Sequence, residues 1–292
     1  MAVTAVHYDP PKLPVVPLVK ESISHVWRNL RLAFTMQRRW LMQLLPFVFA
    51  MTAMPYLLFP AFEKDPVSMA LFAMIIGLVN FGMAVAILIY TASINVGWIR
   101  FALLDEVLDR RFMSLDRDVW RYIGYALLLT LLVVCIVGAA FLMAQYAGTM
   151  AGQDRITAFL LGAVGGAVGG LVAIAISARL AFALVEAAIG RNVSFGLAWQ
   201  MTRGNAMRLF GATLLIILAV VVATLLIAAV PVAVGLMLPS LIKVLQPYGF
   251  AGWMLIGLIV ASIQVIQIPI QTALTLVSAS FLAFAYRFFE RR

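Results

Sequence analysis

Apolar positions along this chain do not alternate with polar ones in the two-residue rhythm of a half-buried strand. They come in long runs, near 40–60, 68–99, 122–146, 156–189, 208–238 and 250–286, separated by short polar connectors. A helix needs about 20 apolar residues to cross a bilayer, and each run reaches that length. Strands of a membrane barrel would instead be ~10-residue alternating segments, and the sequence has none. The pattern predicts an all-α integral membrane protein of six transmembrane helices. They pair as three hairpins closed by brief outer loops at 61–67, 147–155 and 239–249. The stretch from Ser68 to Arg110 is long enough to continue as one helix into the aqueous phase, and the fourth and sixth spans to protrude likewise.

The connectors on the other side are longer, and the first is amphipathic. From Glu21 to Trp40, Ile23, Val26, Trp27, Leu30, Ala33 and Phe34 recur at three- and four-residue spacing, with Ser24, His25, Arg28, Arg31, Arg38 and Arg39 on the other face. Such a segment suits the plane of a membrane surface. A similar phrase recurs in each connector: Ser22-Ile23 then Val26-Trp27, Ser114-Leu115 then Val119-Trp120, and Ser194-Phe195 then Ala198-Trp199. The phrase suggests three copies of one unit, over 21–111, 112–191 and 192–292. Residues 1–20, with Pro10, Pro11, Pro14 and Pro17, read as an extended flexible tail without the charged and apolar regions of a signal peptide. Residues 21–292 form a single transmembrane domain.

Charge orients this frame. Composition lies far outside soluble usage, at 64% hydrophobic and 11% charged with mean hydropathy +1.05. Of 21 Lys and Arg, only Lys64, Arg155 and Lys243 fall in the outer connectors. The positive-inside rule then puts both termini in the cytoplasm, and Glu63, Asp65 and Asp154 offset the outer cations, so the net +9 faces inward. Anionic lipid of the inner leaflet is the expected partner of such a surface, beside a second membrane protein; no nucleic acid is expected.

Within the spans, Gly162, Gly166 and Gly170 recur every four residues, with Gly165 and Gly169 beside them, which marks close helix packing. Gln264, Gln267 and Gln271 share a face of the last span, with Pro269 among them and Asn80 of the second span as a counterpart. Buried amides need partners, so the stripe is either interhelical bonding or the lining of a substrate path. Chemistry for catalysis is sparse. His7 and His25 lie in the N-terminal region, and Cys135, the one cysteine, is expected as a small packing residue. That inventory builds neither a His-rich metal site nor a Ser-His-Asp centre, and no cofactor motif is present. Asp105, Glu106 and Glu186 could form a carboxylate site, but Arg100, Arg110 and Arg179 nearby point to interfacial ion pairs instead.

From Arg179 to Gly211 the chain carries Arg179-Leu180-Ala181, Glu186, Ser194-Phe195, Ala198-Trp199, Met201-Thr202-Arg203-Gly204-Asn205 and Leu209-Phe210-Gly211. This stretch resembles the bacterial multi-span family named for the membrane domain of glycerophosphoryl diester phosphodiesterases. The resemblance implies six helices in a bacterial cytoplasmic membrane. It brings no phosphodiesterase activity, which in that family resides in a separate soluble barrel, and no catalytic residue is carried over.

The expected function is a non-enzymatic scaffold or accessory subunit. Trp27, Arg28, Arg31, Arg38 and Arg39 would meet lipid, and Arg179, Glu186, Arg191, Trp199, Arg203 and Asn205 would organise the inner junction. The alternatives are a small-molecule transporter using the Gln264–Gln271 stripe with Asn80, and, less favoured, a lipid-modifying enzyme.

Overall fold

The computed structural model describes residues 12–38, 42–43, 45–46, 48, 66–106, 116–191 and 194–291, with Pro66, Ser68, Gln246 and Gln264 as backbone only. The described residues are almost all helical, with no strand among them. Among the described residues these helices follow in order: α1 (Val15–Arg28), α2 (Pro66–Leu104), α3 (Arg117–Met150), α4 (Arg155–Leu180), α5 (Phe182–Ala188), α6 (Phe195–Met201), α7 (Ala206–Leu245) and α8 (Phe250–Glu290). Residues 30–38 continue as helix beyond a break at Asn29.

Five helices among the described residues are long and apolar enough to cross a membrane: α2, α3, α4 with α5, α7 and α8. The expected first span, 40–60, lies almost wholly outside the described residues, as do most of the 61–67 loop and Arg39.

Two connections are tighter than the apolar runs suggested. α3 extends to Met150, so only 151–154 remain as loop before α4. Gly152 there adopts φ 75°, and the Asp154 carboxylate accepts from Thr157 N–H at 2.8 Å to cap α4. α7 runs through Pro231 and Pro239 to Leu245, where a 3-10 turn over Gln246–Tyr248 leads into α8. Pro239 therefore sits inside a helix rather than opening a loop. Its fixed φ is helical, and one missing backbone bond is tolerated in a span.

α2 spans 39 residues, about 58 Å at ~1.5 Å per residue. It ends at Leu104, and Asp105 turns into the left-handed region at φ 49°, so the helix does not continue to Arg110. α8, at 41 residues, keeps its full length with Pro269 inside it. α1 begins at Val15, so the end of the supposed extended tail is helical. Pro17 fits its first turn, where no N–H is needed.

α2 and α8 run parallel, tied at matching levels by Thr272 to the Tyr90 hydroxyl (3.3 Å), Trp98 Nε1 to Ser280 Oγ (2.7 Å), and Arg287 to the Ala102 and Leu103 carbonyls (2.8 and 3.0 Å). The last pair closes a helix end, because those carbonyls have no partner further along α2. α3 and α4 form an antiparallel hairpin in backbone-level contact. A Cβ at Gly162 would lie 3.1 Å from Phe141 and Gln145, one at Gly165 2.7 Å from the Ala140 carbonyl, and one at Gly169 2.6 Å from Ala140 Cβ. The small-residue seam is thus internal, but it runs through Gly162, Gly165 and Gly169. Gly166 meets Phe141 at an ordinary 3.5 Å and Gly170 meets nothing.

Large fully buried side chains gather at one end of the bundle: Trp98, Ile94, Ile99, Phe182, Leu209 and Leu276 among them. This is also the end where Arg100, Arg179, Arg191, Arg287 and α1 lie. Many apolar side chains nearer the other end, such as Met74, Leu78, Phe81, Leu226 and Leu236, are exposed.

Candidate functional site

The basic end is built in two parts. The first is α1, whose apolar residues form two stripes. Leu18, Ser22 and Val26 are buried against α7 and α8. Val16, Val19, Ile23 and Trp27 follow a second stripe, with Trp27 77% exposed, and with Leu215 of α7 they line a groove of about 460 Å³. Lys20, Arg28, Arg31 and Arg38 are exposed. Sequence periodicity merged the two stripes into one and set His25 on the polar face. Instead His25 packs edge-on against Trp98 and Phe284 (ring centroids 5.4 and 5.1 Å) and beside Phe101. Its Nε2 is buried without a partner. Burial holds its protonation below the ordinary value of 6.5; Glu21 opposes this, and Arg287 and Arg28 reinforce it.

The second part joins α4, α5, α6 and the start of α7. Arg179 stacks its guanidinium over the Trp199 ring, 3.3 Å from the centroid, and donates to Thr202 Oγ1 (2.9 Å) and the Trp199 carbonyl (2.7 Å). Stacking and planar hydrogen bonding together are a use of Arg that Lys could not copy. Ser194 caps α6 through Leu197 N–H, and α6 ends in a turn where Gly204 takes φ 82°. Buried Asn205 accepts the Leu13 N–H at 2.9 Å, and Arg208 donates to the Leu13 carbonyl. The entry to α1 is thereby pinned to the entry to α7. Arg203 stands exposed on the turn.

Glu186 sits in α5, every residue of which is buried, and its Oε2 has no hydrogen-bond partner. Arg179 does not pair with it; Arg191 binds the Tyr286 hydroxyl (3.1 Å) and the Glu290 carboxylate instead. Arg100 pairs with Asp118 at 2.6 Å and donates to the Ala188 carbonyl. An open pocket of about 720 Å³ lies among Glu186, Arg191, Tyr286, Phe289 and Glu290, with Leu197 and Met201 of α6 on its wall.

The structure brings Arg179, Trp199 and Asn205 into one network, with Glu186 and Arg191 facing the pocket beside it. Trp27, Arg28, Arg31 and Arg38 lie apart on α1 and its continuation. Sequence reasoning missed Trp98, Ser280 and Arg287, which clamp α2 to α8. Arg287 reads in the sequence as one more inward cation, and a lone Trp and Ser in different spans give no spacing signal. Of the amide stripe, Gln267 is half-buried and Gln271 exposed. Exposed Asn80 donates back to the Ile76 carbonyl of its own helix. The hydroxyl of Thr272, not an amide, reaches across to α2. Cys135 is exposed on α3 rather than packed. Among the described residues no group of three or more His, Cys, Asp or Glu could hold a metal.

Compared with known protein families, curated proteins and solved structures, the chain matches no family model, no curated protein and no solved structure.

Proposed function

We propose that this chain is a non-enzymatic scaffold or accessory subunit of a bacterial cytoplasmic membrane. Its basic end lies at the cytoplasmic surface, both termini on that side, and holds anionic lipid headgroups or another membrane protein. The observation that carries this reading is α1. One apolar stripe docks it on α7 and α8, while a second, with Trp27 exposed beside Lys20 and Arg28, remains for lipid. The one-sided distribution of Lys and Arg supports the orientation.

The test is purification from native membranes in mild detergent, with bound lipid and protein identified. Retained anionic lipid or a stoichiometric partner is expected. Each cation near an anionic surface contributes about 1 kcal/mol. Replacing Arg28, Arg31 and Arg38 with Gln should therefore weaken binding to anionic vesicles by roughly two orders of magnitude. Recovery of the chain alone, with vesicle binding indifferent to these three residues, would sink the reading.

A further inference from the structure

The pocket beside α5 contains a chemical imbalance. α5 reads Phe182-Ala183-Leu184-Val185-Glu186-Ala187-Ala188, an apolar, wholly buried helix with one acid in it. Glu186 is 2% exposed, and its Oε2 has no donor within reach. A buried carboxylate left in that state is costly. Arg191, the nearest cation across the pocket, commits Nη1 to Tyr286 and Glu290. With Glu290 so paired, Glu186 is the carboxylate on the pocket wall that keeps an oxygen unmatched: the Ser194 backbone N–H and the field of Arg191 act on it, yet Oε2 has no donor.

We infer that the pocket is a site for a phosphoethanolamine moiety, its ammonium on Glu186 Oε2 and its phosphate on the remaining donors of Arg191. The inference rests on the reading that this end of the bundle lies at headgroup level. A primary ammonium brings three donors to an acceptor that has none. It also lies well against aromatic faces, which Tyr286 and Phe289 supply at the pocket wall. A hard metal ion would want six or more oxygens, and the pocket wall offers two carboxylates. The Arg191 side chain is 53% exposed, and its guanidinium has five donors, enough to keep its present bonds and grip a phosphate as well. Leu197 and Met201 line the same pocket and provide apolar surface for the glycerol and upper acyl carbons of a lipid bearing that headgroup. A volume of about 720 Å³ admits such a group.

The experiment is native mass spectrometry of the purified chain with phosphatidylethanolamine, its mono-, di- and trimethylated forms, and phosphatidylglycerol. Soluble phosphoethanolamine serves as competitor. Affinity should fall stepwise as methyl groups replace N–H donors. Glu186→Gln should weaken phosphatidylethanolamine binding about tenfold or more, as loss of a charge-assisted bond would, and leave phosphatidylglycerol binding unchanged. Competition only at large excess identifies the source as lipid; equal affinity of the soluble compound, with the same Glu186 dependence, identifies it as free ligand. A flat methylation series on the unaltered chain overturns the site even if Glu186→Gln does not fold. If phosphatidylglycerol is retained in that case, the accessory-subunit reading survives; retention of no lipid at all removes its lipid-binding form too.

Discussion

The α3–α4 hairpin makes a prediction about position rather than residue type. Gly165 and Gly170 lie on the same helix, and the same substitution at each should act in opposite directions. A methyl at Gly165 would sit 2.7 Å from the Ala140 carbonyl, which is backbone and cannot swing aside. Overpacking of this kind costs about 1–3 kcal/mol, because the two helices must separate along the seam. Ala gains up to ~1 kcal/mol over Gly as a helix former, which offsets part of that cost. Gly165→Ala should therefore lose about 0–2 kcal/mol net, centred near 1. Gly170 has nothing within 4 Å, so Gly170→Ala takes only the helical gain. The two variants should differ by roughly 2 kcal/mol, several degrees in melting midpoint in one detergent. Gly169→Ala should behave like Gly165→Ala, its methyl meeting Ala140 Cβ at 2.6 Å. Equal midpoints for Gly165→Ala and Gly170→Ala would show that the seam does not hold the hairpin as described.

Three further outcomes follow from the basic end. Trp98→Phe removes the indole donor to buried Ser280 and should cost about 1–3 kcal/mol, with Trp98→Phe/Ser280→Ala recovering part of the loss, as thermal melts would show. Arg287→Ala frees the last carbonyls of α2, so amide exchange should accelerate around 99–104 and not in α3; unchanged exchange would refute the clamp. His25 is held less basic than usual, below 6.5, by burial. As pH falls through about 6.5 the unfolded chain protonates first, so stability declines there and levels off once the folded imidazole also protonates. His25→Gln should remove that decline, measured as the difference in melting midpoint between about pH 8 and pH 5.5.

Helix type and five of the long runs were visible in the sequence because unbroken apolar stretches have few other solutions in a bilayer. The end of α2 was not. No Gly or Pro announces the stop at Leu104; Asp105 takes the left-handed turn, and Arg287, remote in sequence, binds the last carbonyls. The glycine seam was legible as a class of contact. Its register was not, since 162, 166, 170 and 162, 165, 169 are both helical spacings and only the shape of α3 chooses between them. Near the candidate site, Arg179, Trp199 and Asn205 stood out by type and proximity in sequence. That Arg179 would stack on Trp199 while Glu186 Oε2 kept no donor did not, and α4 yields to α5 at Ala181 between the two. His25 was misplaced because α1 has two apolar stripes, and periodicity alone cannot say which residues border the second.

The tether from Leu13 to Asn205, together with the bed of α7 and α8 beneath α1, sets an order of events during biosynthesis. α1 leaves the ribosome before α7 and α8, yet its seat is not finished until Phe284, beside His25, has been made. Throughout translation of the intervening helices α1 must wait without that bed. A helix made before its own bed can lock only after that bed is built, so the seating of α1 reports that α8 is in place.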